Sequence, residues 1–547
     1  MPQYTALTIG PIYKTISKAR KTRELWAASY LFSRVIMQRV VEELKEEGVG
    51  AAIILPQIDA STAPPKVGLY PDRLYMEGDH RHALERAIKS VKRELIYEFN
   101  QTGCEQLQDF VERYFYFNVV VADIGGRDQL MDTLFKYVAQ TELHQQALPV
   151  DNYCIENLLL RVYKTDFFRQ CFGEGHRYPS LIEIATRKMV AGGISREKFE
   201  ELERMGRAIK RGALSDDDEQ EDAIIIGISH DSQLKEHFKQ PHKYIAVVQS
   251  DGDSVGYLLG KILASDDSDL VSAFSQALGE FARAAVEAIE RYGGEVVYAG
   301  GDDLLFFAPV LTYGGDIFHI LDRMDAIFRE KVLEHPQLKG FIDQLDKKPS
   351  MSYGVAITYY KFPLNEARDR AYEMLLRAKE AGKNRIGYHW QKHSGHHFTD
   401  VIKKRPFSQD KKNGEGSEEK RDECVSDYYS LFLNLLGRVH EGNVDRLFSS
   451  FIYNLNQHKT ILSSILSDSN EDEKRKKLGY YFENFYDESI HKTDEAKDVM
   501  QDIKCLLLAA YRQASSHHGD KAEAAIEDVY NALRFVKFLT QKVGDDD

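Results

Sequence analysis

Cysteine is scarce: five occur in 547 residues (Cys104, Cys154, Cys171, Cys424 and Cys505), with no CxxC pair among them. That spacing excludes a disulfide scaffold and argues against a cysteine-built zinc site. Isolated thiols fit a reducing, cytoplasmic setting. Long apolar runs are missing too. No stretch approaches the roughly 18 uninterrupted apolar residues that a membrane-spanning helix needs, so no membrane partner is expected. The first residues, MPQYTALTIGP, lack a basic segment followed by an apolar core, and no secretory signal is expected. Positive charge is in deficit: Lys plus Arg total 72 against 86 Asp plus Glu, a formal net charge of -14. A freestanding nucleic-acid coat is thereby disfavoured, because affinity for phosphate backbones rests on Lys and Arg. A local basic groove stays open, as does a site where bound metal offsets clustered acids.

What is present is an ordinary globular composition, 43% hydrophobic and 29% charged. At about 150 residues per domain, the length suggests three or four domains with several cores. Residues 1–126 read as alternating strands and helices. Tyr4–Ile9 is strand-like and ends at Gly10-Pro11, and Arg23–Glu47 has helical periodicity. Ala51–Leu55 and Leu69–Met76 are strand candidates, His82–Phe99 is an amphipathic helix, and Tyr114–Ala122 is a strong strand. This βαββαβ order is that of a ferredoxin-like or palm domain. Residues 127–240 read as mainly helical, with an acidic, solvated run at 215–222. Residues 241–400 repeat the βαββαβ order: Tyr244–Gln249, a helix Asp269–Tyr292, a hairpin Glu295–Ala299 and Leu304–Ala308, a helix Ile317–Glu334, a strand Ser352–Tyr359 and a helix Leu364–Ala381. A divergent internal duplication is expected. After a polar linker at 403–422, residues 425–547 read as a helical bundle. The fold class expected is therefore α+β: two palm domains, an intervening helical region and a C-terminal helical domain.

The chemistry gathers on acids. Asp251 and Asp253 close an apolar strand, as Ser250-Asp251-Gly252-Asp253. Asp302 and Asp303 sit at the tip of the neighbouring hairpin, after Gly300 and Gly301. An isolated GGDD is ordinarily a tight turn, and an isolated DGD a loop. Here each adjoins an apolar strand and a long helix separates them, which lets the carboxylates converge. Nucleotidyl transfer needs such convergence, because two divalent ions about 4 Å apart activate the attacking hydroxyl and neutralise the leaving group. Mg²⁺ or Mn²⁺ held by a few carboxylates leaves room for phosphate oxygens. Gly300 and Gly301 would let a triphosphate approach the backbone. Lys379 and Lys383 lie four apart at a predicted helix end, on one face, where they would reach that triphosphate; cations favoured there by the helix dipole are the ordinary alternative.

Two segments carry a family resemblance. One is AVVQSDGDSVGYLLG (246–260) with VVYAGGDDLLFF (296–307), and the other is IGPIYKTISKARKTRELWAASYLFS (9–33). Residues 244–387 resemble the palm shared by GGDEF-type cyclases and polymerases. The whole chain resembles the large polymerase/cyclase subunit of type III, Cmr-type CRISPR-Cas effector complexes. The resemblance implies a target-RNA-activated enzyme making an adenine-nucleotide second messenger from ATP, usually cyclic oligoadenylate. It implies partner subunits with guide and target RNA. On it, Asp251, Asp302 and Asp303 are metal ligands, helped by the Gly252 carbonyl and less centrally by Asp253. Gly300 and Gly301 are nucleotide-approach positions, and Lys379 and Lys383 are triphosphate contacts.

Departures shape these expectations. Many relatives begin with an HD nuclease, whereas this chain opens at the first palm; its one His-Asp pair, His230-Asp231, lies mid-chain, so no DNA cleavage is expected. No paired cysteines offer the family's zinc site, and the cluster His389, His393, His396 and His397 reads as structural or surface. Some nuclease-less relatives join ATP to S-adenosylmethionine. Asp72 and Arg73 offer a carboxylate for an ammonium group, against the plainer reading of a surface turn. Lys14, Lys18, Arg20, Lys21 and Arg23 form the clearest basic patch, while Trp26 and Tyr30 read as core. A freestanding diguanylate-cyclase-like enzyme and an inactive scaffold are the competing classes.

Overall fold

The computed structural model describes residues 1–58, 66–101, 107–143, 159, 165–166, 178–212, 222–265, 267–405, 427–439, 445–484, 494–514 and 521–543. The acidic run at 215–221 and the linker from 406 to 422 lie outside the described residues.

Four strands form the first sheet: β1 (Gln3–Gly10), β2 (Ile53–Leu55), β3 (Arg73–Glu77) and β4 (Tyr116–Asp123). They lie in the order β2-β3-β1-β4 with antiparallel neighbours, the arrangement of a ferredoxin-like domain. The segment expected as one helix winds from Thr22 to Glu46, with a wider π-type stretch at Leu31–Gln38. The strand expected from Leu69 starts only at Arg73. Ser33 Oγ accepts the Tyr70 N–H at 2.8 Å and donates to the Tyr70 carbonyl at 2.7 Å, so a helix hydroxyl replaces the ladder there.

The second sheet holds β5 (Tyr244–Asp253), β6 (Glu295–Gly300) and β7 (Asp303–Pro309). A small hairpin follows, β8 (Leu311–Thr312) with β9 (Gly315–Asp316). Then come β10 (Ser350–Tyr359), β11 (Arg385–Gln391) and β12 (His397–Lys403). The order is β12-β11-β10-β5-β7-β6. Its part β10-β5-β7-β6 repeats the order of the first sheet, so the duplication expected from the element order is present in the topology. The helix Leu364–Glu380 crosses over to β11, which runs parallel to β10. Two glycines set how closely that helix packs. An added Cβ at Gly354 would overlap the Ala371 carbonyl, and one at Gly387 the Met374 carbonyl. The backbone approach brings the C-terminal end of the helix down beside the end of β5.

The described residues beyond 427 are helical: Tyr428–Val439, Asp445–Gln457, Lys459–Leu466, Glu471–Asn484, Asp494–Gln513 and Lys521–Thr540. This bundle shares a core with the second palm. Phe318 meets Tyr388, Phe432 and Phe535 edge-on, and Trp390 packs on Phe538. Cys505 is disulfide-bonded, and the other four cysteines all lie outside the described residues. This corrects the expectation of five free thiols.

The same interface holds two acids. Asp528, on the last helix, is pushed up to about 6, chiefly by burial and then by Glu527. Asp400, on β12, is also raised, by burial and then by Asp528. A carboxyl that binds its proton more tightly when folded contributes stability below its unfolded pKa and loses it as pH rises through the folded pKa. Stability conferred by Asp528 should therefore fall between about pH 4 and 6. Asp528→Asn should raise the melting temperature at pH 7.5 and leave it unchanged at pH 3.5, read by differential scanning calorimetry. Equal shifts at both pH values would exclude a titration effect.

Candidate active site

The site forms where β5 and the β6–β7 hairpin end together. Ser250 pairs with Leu304, so Asp251 and Asp303 occupy the next register positions at the open end of the sheet. Gly300 pairs with Asp303, leaving a two-residue reversal, Gly301-Asp302. Gly301 makes it with φ of 71°, where a side chain is strained. Gly252 lets the hairpin tip close on β5, since an added Cβ there would overlap the Asp302 carboxylate. The Gly252 N–H donates to Asp302.

Asp251, Asp302, Asp303 and Lys379 form one electrostatic group. Lys379 Nζ pairs with the Asp251 carboxylate. Asp302 is pushed up to about 6 by lost hydration and then by Asp251. Asp303 is raised for the same first reason, then by Asp302 and Asp251, with Lys379 pulling the other way. Asp303 is exposed toward the cavity, with the two other carboxylates beside it. Three acids facing one lysine leave negative charge that a proton or a divalent cation would relieve. The donor set is hard oxygen, which suits Mg²⁺ or Mn²⁺. Among the described residues no three His, Cys, Asp or Glu side chains already stand as a closed metal cage, and Asp251 is engaged by Lys379.

Several expected residues stand elsewhere. Asp253 is buried, and its Oδ2 accepts Ser350 Oγ, Ser352 Oγ and the Asn384 N–H, each at 2.8 Å. β5 keeps unbroken register with β10 to its last residue, and there two β10 hydroxyls take up the Asp253 carboxylate. It is therefore not grouped with the other three. Lys383 does not share a helix face with Lys379. The helix stops at Glu380, and Lys383 lies beyond it with φ of 65°, exposed. Gly300 lies against Tyr298, where an added Cβ would overlap that ring.

Within the histidine cluster only His389 is buried, while His393, His396 and His397 are exposed. His389 is buried, 3.3 Å from Gln391 Oε1 and tilted against His397, and the His393 N–H donates to Tyr244 OH. Asp231 pairs with Lys198, and His230 Nδ1 contacts the Ile226 carbonyl. Trp26 and Tyr30 are buried and stacked. In the basic patch Lys14, Lys18 and Arg23 are half-buried, whereas Arg20 and Lys21 are exposed.

A cavity of about 500 Å³ opens between the palms. Asp303, Tyr298 and Gln249 line it from the second palm, and Ser33, Asp72 and Glu142 from the first or beside it. Asp72 is therefore no surface turn. Arg73 is taken up by Glu142, with Nε to Oε1 at 3.1 Å and Nη2 to Oε2 at 2.8 Å. Arg368, also lining the cavity, donates to the Ile16 carbonyl at 2.9 Å and so ties the palms together. Sequence reasoning missed Glu142, Tyr298 and Arg368. Tyr298 alone left a signal: it lies two residues before Gly300, hence on the same face of β6.

The fold is that of a double-palm protein, with the acidic group at the end of the second sheet. Residues 244–387 match the family model "Cas10/Cmr2, second palm domain", and residues 4–102 match "CRISPR-associated protein Cmr2, N-terminal". A Pyrococcus furiosus protein, CRISPR system Cmr subunit Cmr2, is 27% identical over 186 residues, 30% of this chain and 20% of that protein. The match thus spans about a fifth of that relative's length. A chain of type III-B Cmr-beta in its apo state superposes with a TM-score of 0.53 at 12% identity, covering 87% of this chain and 77% of that one. Cmr-beta bound to cognate target RNA gives 0.52 at 12% identity, covering 90% and 78%. The two family matches are both to Cmr2-type subunits, and the two superpositions show a shared fold. No helix among the described residues is long and apolar enough to cross a membrane.

Proposed function

We propose that this chain is the nucleotidyltransferase of a type III CRISPR effector complex, making cyclic oligoadenylate from ATP when target RNA is bound. The observation that carries this reading is the grouping of Asp251, Asp302, Asp303 and Lys379 at the rim of a cavity walled by both palms. Asp251, Asp302 and Asp303 would hold two Mg²⁺ or Mn²⁺ ions. Bound there, the ions would lower the pKa of the attacking hydroxyl and neutralise the leaving pyrophosphate. Lys379 supplies a fixed cation beside the acids, oriented by Asp251. Gly301 and the hairpin tip keep side chains away from the triphosphate path. The inter-palm cavity has room for a second nucleotide, whose hydroxyl would face Asp303. Partner subunits, guide RNA and target RNA would complete the assembly; the Cmr-beta likenesses support this partner set. The acidic chain leaves most RNA binding to those subunits.

A second reading rests on one observation: Asp72 shares the cavity wall with Asp303. A carboxylate there suits the ammonium group of S-adenosylmethionine as acceptor. The test incubates the assembled complex with ATP and Mg²⁺, with and without target RNA and S-adenosylmethionine, and resolves products by mass spectrometry. Target-RNA-dependent cyclic oligoadenylate supports the first reading, and an adenylylated S-adenosylmethionine supports the second. Guanine dinucleotides would favour a freestanding cyclase, and no product under any condition would favour an inactive scaffold.

A further inference from the structure

We propose that Asp253 is a positioning residue that clamps the loop Gly382–Asn384 and so sets where Lys383 stands, rather than a ligand for metal. The inference rests on the nucleotidyltransferase reading for its consequence, though not for its geometry. Asp253 is 2% exposed, and all three of its bonds fall on one oxygen, Oδ2. Ser350 and Ser352 on β10 supply two of them. The third comes from the backbone N–H of Asn384. Oδ1 is buried without a hydrogen-bond partner.

The loop that Asp253 holds is strained. Gly382, Lys383 and Asn384 take consecutive φ values of 120°, 65° and 49°. Glycine adopts such values freely and asparagine tolerates them, but lysine does so at a cost. Strained residues of this kind persist only where their surroundings over-determine them. Here the surroundings are visible. The Lys383 N–H bonds the Ala378 carbonyl at 3.2 Å, the Lys404 N–H bonds the Asn384 carbonyl at 3.1 Å, and Asn384 Nδ2 reaches the Arg405 carbonyl at 3.2 Å. Among the described residues the Asp253 bond is the one hydrogen bond that joins the loop to β5, two residues from Asp251. Without it the loop can relax toward ordinary backbone angles, and the backbone at Lys383 shifts with it. The carboxylate thus ties the backbone next to the exposed Lys383 to the end of β5.

The test compares Asp253→Asn, Ser352→Ala and Asp302→Asn in the full chain and the assembled complex. Hydrogen exchange at the Asn384 amide should accelerate at least tenfold in Asp253→Asn and less in Ser352→Ala. Mn²⁺ affinity of the full chain, by titration calorimetry, should stay within twofold for Asp253→Asn and be lost in Asp302→Asn. In the complex, KM for ATP should rise about tenfold in Asp253→Asn, with kcat changed less than threefold. If Asp253→Asn does not fold, Ser352→Ala carries the same readouts at smaller size. Loss of Mn²⁺ binding in Asp253→Asn equal to that in Asp302→Asn would overturn the proposal, as would unchanged exchange at Asn384 or an unchanged KM. An absence of product from the unsubstituted complex would count against the enzymatic reading alone, and exchange and Mn²⁺ binding would still decide the role of Asp253.

Discussion

Replacing Asp302 and Asp303 together with alanine should lower product formation by at least on the order of a thousandfold while leaving RNA binding intact. The two acids supply most of the oxygen donors at the hairpin tip. Stabilisation by bound metal amounts to several kcal/mol, and each 1.36 kcal/mol is about tenfold in rate. Both side chains stand half-buried or exposed at a turn rather than in a core. Their removal also relieves the mutual repulsion that raises both carboxyls, so the fold should not suffer. Product quantified by mass spectrometry, beside target-RNA affinity and melting temperature, checks this. A double variant that keeps full activity would show that the chemistry lies elsewhere.

The largest effect on stability is expected from Lys404→Met. Lys404 is 2% exposed, with Nζ 2.6 Å from both oxygens of Asp325 and 4.5 Å from the centre of the Tyr353 ring. Asp325 also accepts Tyr353 OH at 2.8 Å. Burial disfavours charge on both partners, so each is tolerated only as the countercharge of the other. Removing one partner of a buried pair costs about 3–5 kcal/mol, because the remaining charge stays unpaired. In a domain of this size that is roughly a 10 °C loss in melting temperature. The double variant Asp325→Asn with Lys404→Met should recover much of the loss, because no uncompensated charge remains. Calorimetry on the four-member cycle measures the coupling. A loss under about 1 kcal/mol for the single variant would show that the pair is not buried in solution.

Much of the molecule was legible because local pattern and tertiary environment agree. Tyr244 to Val248 is an unbroken apolar run, and β5 is central in its sheet and covered on both faces. Asp267 and Gly293 bound the long helix Ser268–Tyr292 as cap and stop. The doubled βαββαβ order was visible for the same reason, and so was the adjacency of Asp251 to the hairpin acids, which follows from strand order alone.

Other features were not legible, because they depend on groups distant in sequence. Asp253 has the same local signature as Asp251, yet Ser350 and Ser352, about a hundred residues away, draw it into the core. Lys383 sits four residues from Lys379, but the helix ends first and three left-handed residues redirect it. Asp72 looked like a turn residue until the second palm closed over it. The sequence by itself determined the two palms, the helical C-terminal region and the candidate acids, since periodicity, caps and turn chemistry are local. Only the tertiary structure decided which acids face the cavity, which lysine pairs with them and how the palms enclose a shared space. Those outcomes depend on packing between elements far apart in the chain, and one register position or one closely packed glycine is enough to move a carboxylate from the site to the core.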